Sequence, residues 1–157
     1  NSRSDALQYA QMLQMGVSFK PEEAANNNLY LKMNGRRLYM YALENVPKTI
    51  KAGLDKLNLT VDDIKKVLIH QANGKMDDAI LKRLYNLYGY DEAPDNVMPM
   101  TISWLGNSSV ATLPTLFDLV LREEVTPHQI DAGDTIVFAS VGAGMNINSI
   151  IYKMPEQ

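Results

Sequence analysis

The chain has 157 residues, enough for one domain with a sizeable core, and its 46% hydrophobic content argues against disorder throughout. Fifteen basic residues stand against 18 acidic ones, and the resulting net charge of −3 sets up no field that favours nucleic acid or an anionic membrane. No apolar run approaches the roughly 20 residues of a membrane span, and the absence of cysteine excludes disulfides, thiolate metal sites and a cysteine nucleophile within these residues.

The opening NSRSDALQYA lacks the basic head and apolar middle of a signal peptide, so a soluble, cytoplasmic protein is expected. It starts at Asn1 without an initiator methionine, as in a processed chain or a cloned fragment. Residues 1–28, broken by Gly16, Pro21 and the run Asn26-Asn27-Asn28, read as an irregular lead-in with one short helix over Ala6–Met15 and no legible chemistry. Residues 29–157 carry the patterned part of the chain. LYLKMNG at 29–35 alternates apolar and polar residues and ends in Asn-Gly, a strand followed by a turn. From Arg37 onward, Leu43, Val46, Ile50, Leu54 and Leu57 recur at spacings of three and four, which predicts a helix with one buried face and a kink at Pro47.

In LNLTVDDIKKVLIH, Thr60 is placed to cap a short helical turn with Asp63 three residues on, and the turn feeds an apolar strand over Val67–Ile69. Met76, Ala79, Ile80, Leu84 and Leu87 mark a helix that ends near Gly89, with Asp77 and Asp78 suited to its positive amino-terminal end. DEAPDNVMPM is a loop passing into a short strand. Val110, Leu113, Phe117, Val120 and Leu121 give another helix, with Pro114 near its start. Two strands follow at about 134–140 and 145–153, joined so tightly at Gly142-Ala143-Gly144 that they must be antiparallel. This order predicts an α/β fold with a mixed five-stranded sheet covered by helices, and no internal repeat interrupts it.

Sites in such sheets form where loops gather at the carboxyl ends of strands. Three motifs can meet there: His70-Gln71-Ala72-Asn73, Gly106-Asn107-Ser108-Ser109 and Gly142-Ala143-Gly144. A histidine at a strand tip and a side-chain amide at a helix start can aim hydrogen-bond donors at one oxygen, and glycines let backbone N–H groups approach it, the makings of an oxyanion hole. Each motif also has a plain structural reading. His70 fits a strand-end histidine satisfied by backbone, Asn107 a helix cap, and Gly142-Ala143-Gly144 a hairpin turn. His128, in a turn beside Pro127, reads as solvated surface. The two histidines lie far apart, neither sits in a close His/carboxylate cluster, and no metal site is expected.

Taken together and in this order, HQAN at 70–73, GNSSVATLP at 106–114 and DTIVFASVGAGMN at 134–146 resemble the C-terminal half of β-ketoacyl-[acyl-carrier-protein] synthase III, a condensing enzyme of the thiolase-like superfamily. The resemblance runs from about Leu29 to Pro155. It implies a decarboxylative Claisen condensation of acyl-coenzyme A with malonyl-carrier protein in fatty-acid biosynthesis, in which a cysteine of the N-terminal half carries the acyl group. His70 and Asn107 would then donate hydrogen bonds to the malonyl thioester oxygen and stabilise the enolate. The Ala143 N–H, flanked by Gly142 and Gly144, would match the donor to the acyl-cysteine oxygen; the family usually has glycine at that position. Asn73 would be an amide just behind the donor pair, Lys75 a contact for the acidic carrier protein extended by Lys32, Arg36 and Arg37, and Gln71 and Ala72 packing residues.

The same resemblance implies no cofactor beyond the two substrates, the coenzyme A thioester and the phosphopantetheinyl carrier protein. It also implies a homodimer of two-half protomers and no nucleic-acid or membrane partner. The N-terminal half is absent from these residues, so the chain alone is expected to be inactive and to associate through exposed apolar surface. Two other readings remain open: half of a thiolase-fold polyketide or aryl-polyene-type synthase, and a non-catalytic partner subunit of a condensing enzyme.

Overall fold

The computed structural model describes residues 1–3 and 7–156. In chain order the elements are β1 (Ser2–Arg3), β2 (Leu13–Gly16), α1 (Pro21–Ala24), β3 (Tyr30–Met33), α2 (Gly35–Lys56), β4 (Lys66–Ile69), α3 (Gly74–Asn86), α4 (Ile102–Leu105), α5 (Thr112–Leu121), β5 (Thr135–Val141) and β6 (Ile147–Lys153). The main sheet has the order β1-β6-β5-β4, with β4 and β5 parallel and the other two pairs antiparallel.

Alternation along the strands decides which helix covers which face. Val67, Ile69, Val137 and Ala139 point to one side, into a core built with Val46, Ile50 and Leu54 of α2 and Ile80 and Leu84 of α3. Leu68 and Ile136 point to the other side, where Leu116 and Val120 of α5 meet them. The Phe117 and Phe138 rings close this second core edge to face, with centroids 5.2 Å apart. Each fully buried Leu or Ile contributes about 2 kcal/mol of apolar burial, so a β4 shifted by one residue would exchange both cores at once.

The three-and-four spacing from Leu43 to Leu54 forms the buried face of α2, but Leu57 falls past its last residue and is exposed; Asn34 caps the helix by accepting the Arg37 N–H at 3.3 Å. Pro47 does not end the helix, which continues to Lys56, although the ring removes one intrahelical donor. At Gly53 α2 lies close to β6: a Cβ there would lie 2.8 Å from Ile151 Cδ1. Thr60 and Asp63 form the reciprocal capping box that the sequence predicts.

The α/β class and the mixed sheet stand, but the main sheet has four strands among the described residues where five are expected. Residues 30–33 do form a strand, yet they pair with β2 in a separate two-stranded hairpin. The segment around Val97 runs beside β4 and accepts one bond, from the Val67 N–H at 2.9 Å, without building a ladder. In their place Ser2–Arg3 joins the sheet edge. Residues 1–28 are therefore tied to both sheets. The expected helix over Ala6–Met15 is a 3₁₀ segment at Leu7–Met12 followed directly by β2, and its first residue lies outside the described residues.

Candidate active site

Parallel pairing of β4 with β5 puts the ends of both strands on one side of the molecule. His70 follows β4 at once, and its backbone N–H is held by the Ala139 carbonyl of β5 at 2.9 Å. The loop Gly142-Ala143-Gly144 leaves the end of β5 at the same edge. His70 is half-buried, and burial lowers its pKa below the ordinary 6.5, while the Ser109 backbone beside the ring pulls the other way.

Ser109 also meets the second candidate. Asn107 Oδ1 accepts the Ser109 N–H at 2.8 Å, a turn within the loop whose Ser109 backbone raises the pKa of the His70 ring. Since the partner is an N–H, the acceptor must be the carboxamide oxygen, and this leaves the Nδ2 amine as the outward donor. Asn107 therefore makes the local turn that the plain reading expects, directly before the helical segment and in an exposed position. The preceding Gly106 has φ 65 and ψ −163, a region open in practice only to glycine, and this turns the chain out of α4 toward Asn107.

The third motif is a tight turn. Gly142 N–H donates to the Asn146 carbonyl at 3.0 Å, Met145 N–H donates to the Gly142 carbonyl at 3.0 Å, and the Tyr41 hydroxyl of α2 donates to the Met145 carbonyl at 3.2 Å. Positive φ falls on Gly144 and Met145, at 74 and 57, and not on Ala143. The alanine is therefore compatible with the loop, and its own N–H is not one of the bonds that close it.

Asn73 caps α3, its Oδ1 accepting the Met76 N–H at 3.3 Å, and it is exposed. Lys75 is exposed in the first turn of the same helix, beside the His70 loop. Lys32 lies 3.7 Å from the centre of the Phe19 ring, a cation–π contact, and Arg36 and Arg37 line a cavity of about 390 Å³ with Tyr41 and Glu44. His128 departs from its expected solvated setting: it is half-buried, and its Nδ1 is 3.1 Å from the Asn96 carbonyl.

The residue that pattern reading passes over is Gln71, expected only to pack. It is fully buried, and its carboxamide makes four hydrogen bonds. Oε1 accepts the Thr101 N–H at 2.8 Å, the Ile102 N–H at 2.9 Å and the Thr101 hydroxyl at 3.4 Å, while Nε2 donates to the Pro99 carbonyl at 3.0 Å. The signal was present in one form only: an amide directly after an apolar strand points to the face opposite the histidine, where it needs partners.

A mixed sheet with helices on both faces and polar donors at the ends of its parallel strands places the chain among thiolase-like α/β domains. The chain belongs to the family described as 3-oxoacyl-[acyl-carrier-protein] synthase III C terminal, which it matches over residues 54–154. It is 35% identical over 123 residues to the β-ketoacyl-[acyl-carrier-protein] synthase III of Microcystis aeruginosa, covering 78% of this chain and 34% of that protein. It is 30% identical over 150 residues to the synthase III of Streptococcus pneumoniae, covering 96% of this chain and 43% of that protein. Among solved structures, the synthase III of Thermus thermophilus superposes with a TM-score of 0.77 at 24% identity, covering all of this chain and 46% of that one. The synthase III of Pseudomonas aeruginosa gives 0.76 at 20% identity, covering 99% and 43%. The chain thus spans less than half the length of these relatives, and the solved structures show the shared fold.

Proposed function

We propose that this chain is the C-terminal half of a β-ketoacyl-[acyl-carrier-protein] synthase III-like acyltransferase, which condenses an acyl-coenzyme A with malonyl-carrier protein through decarboxylation. His70 and Asn107 donate hydrogen bonds to the malonyl thioester oxygen, and the enolate left by loss of CO₂ is stabilised as its oxygen gains charge. What supports this reading is that Ser109, whose N–H is accepted by Asn107 Oδ1, is also the residue whose backbone acts on the His70 ring. Ala143, in the loop at the same sheet edge, supplies a backbone N–H for the acyl-thioester oxygen. Lys75 faces the carrier protein.

The nucleophilic cysteine belongs to the N-terminal half, because this chain has none. The chain alone therefore does not condense. Support for a covering half also comes from apolar side chains left in solvent near the site and on the hairpin, with Val110 94% and Phe19 88% exposed.

The test is intact mass after incubation with acetyl-coenzyme A, with the full-length protein beside this chain. An acyl adduct on the full-length protein alone is expected, and its malonyl decarboxylation should fall in His70→Ala and Asn107→Ala. No adduct across several acyl chain lengths would instead favour a non-catalytic subunit.

A further inference from the structure

We infer that Gln71 is a positioning residue that fixes Asn107 relative to His70. The catalytic consequence of this inference rests on the function proposed above, while the clamp itself rests on geometry alone. The helix α4 that precedes Asn107 has only four residues, too few to stand by its own hydrogen bonds. Its amino-terminal N–H groups need acceptors, and Thr101, at the cap position, supplies none from its side chain. Gln71 supplies the acceptor from 30 residues away: one oxygen takes the N–H groups of both Thr101 and Ile102.

On its other side Gln71 is bonded directly to His70, whose own N–H is fixed to β5 by the Ala139 carbonyl. The path from the ring to the carboxamide therefore runs through strand, amide clamp, one helical turn and Gly106. Every step is a covalent bond or a hydrogen bond of 3.0 Å or less. An amide is the side chain that meets all of these partners. A carboxylate would keep the two accepted bonds but lose the donation to Pro99, and an apolar isostere would leave two N–H groups and one carbonyl buried without partners. Gln71 touches no reacting atom in this arrangement; its effect passes through Asn107.

The experiment combines amide hydrogen exchange with steady-state decarboxylation of malonyl-carrier protein, in the full-length protein, for wild type, Gln71→Met and Gln71→Glu. In Gln71→Met the Thr101 and Ile102 amides should exchange about tenfold faster while the Val137 amide in the central strand β5 is unchanged. The same variant should lose about a hundredfold in kcat, with KM for malonyl-carrier protein within about threefold of wild type. Gln71→Glu, which retains the acceptor, should recover the exchange protection and most of kcat. Should Gln71→Met not fold, the wild-type protein carries the test: the Thr101 and Ile102 amides, whose acceptor is the Gln71 oxygen, should exchange far more slowly than the exposed Ser109 amide, and exchange as fast as Ser109 would overturn the clamp.

Unchanged exchange at Thr101 and Ile102 in Gln71→Met also overturns it. Faster local exchange with wild-type kcat overturns the positioning role. A wild-type protein that does not decarboxylate malonyl-carrier protein overturns the proposed function instead, and the clamp is then decided by the exchange result alone.

Discussion

Asn107 Oδ1 accepts the Ser109 N–H at 2.8 Å, and this one bond determines which end of the carboxamide is presented outward. It predicts different outcomes for two substitutions. Asn107→Asp keeps the acceptor and with it the local turn, but has no amine to donate. Asn107→Ala loses both. Both variants of the full-length protein should lose about 10²–10³-fold in malonyl decarboxylation, the usual cost of one missing oxyanion donor. Only Asn107→Ala should also loosen the Ser109 amide in hydrogen exchange. Full activity in Asn107→Asp would remove the amine from the mechanism.

Gly106 holds a backbone conformation that a Cβ strains whatever the space around it, with φ 65 and ψ −163. Gly106→Ala should therefore cost about 1–3 kcal/mol of stability and lower activity further by displacing Asn107. Thermal unfolding that matches wild type would show that the chain adopts another path there at no cost.

Burial lowers the His70 pKa, so the unfolded chain takes up a proton before the folded one does. The sign follows from linkage: stability is intact above the ordinary 6.5 and declines as pH falls through that value toward the lower folded pKa. His128, whose pKa is lowered mainly by burial and then by Lys66, acts in the same direction, so the comparison must be with His70→Asn. The His70 ring should titrate below 6.5 by NMR, and the variant should lose part of the acid-side slope. A ring midpoint at or above 6.5 would contradict the buried setting.

Asp77 works in the opposite direction. It is fully buried in the first turn of α3, and its pKa is raised to about 7, by burial first and then by Asp78, while the Asn73 backbone pulls the other way. The unfolded carboxyl ionises near 3.8 while the folded one stays protonated, so stability declines as pH rises from about 4 to about 7. A shift of that size corresponds to at most about 4 kcal/mol. Asp77→Asn should remove the decline and exceed wild type in urea denaturation at pH 8. Parallel profiles for the two proteins between pH 4 and 8 would show that Asp77 ionises in place.

Much of this architecture was legible because it is local. The apolar spacing that ends at Leu54, the Thr60–Asp63 capping box, the buried run Val67–Ile69 and the tight turn at 142–144 each depend on neighbours within a few residues. The site motifs were legible as residue types at strand tips and helix starts. What alternation could not reveal was the partner of each strand: 30–33 has the pattern of any strand, and only space decides that it pairs with 13–16 and not with the main sheet. His128 looked solvated because the Asn96 carbonyl that faces it lies 32 residues earlier in the chain.

The sequence by itself determined the α/β class, the covered sheet and the three motifs, since these follow from periods of two and three to four and from glycine placement. Tertiary structure alone decided how they act on one another. The Ser109 backbone acts on the His70 ring, Gln71 caps a helix 30 residues away, and Asp77 is enclosed in the first turn of α3. The physical reason is that a buried polar group takes its partners from whatever backbone the fold brings near, and that proximity leaves no period in the sequence to read.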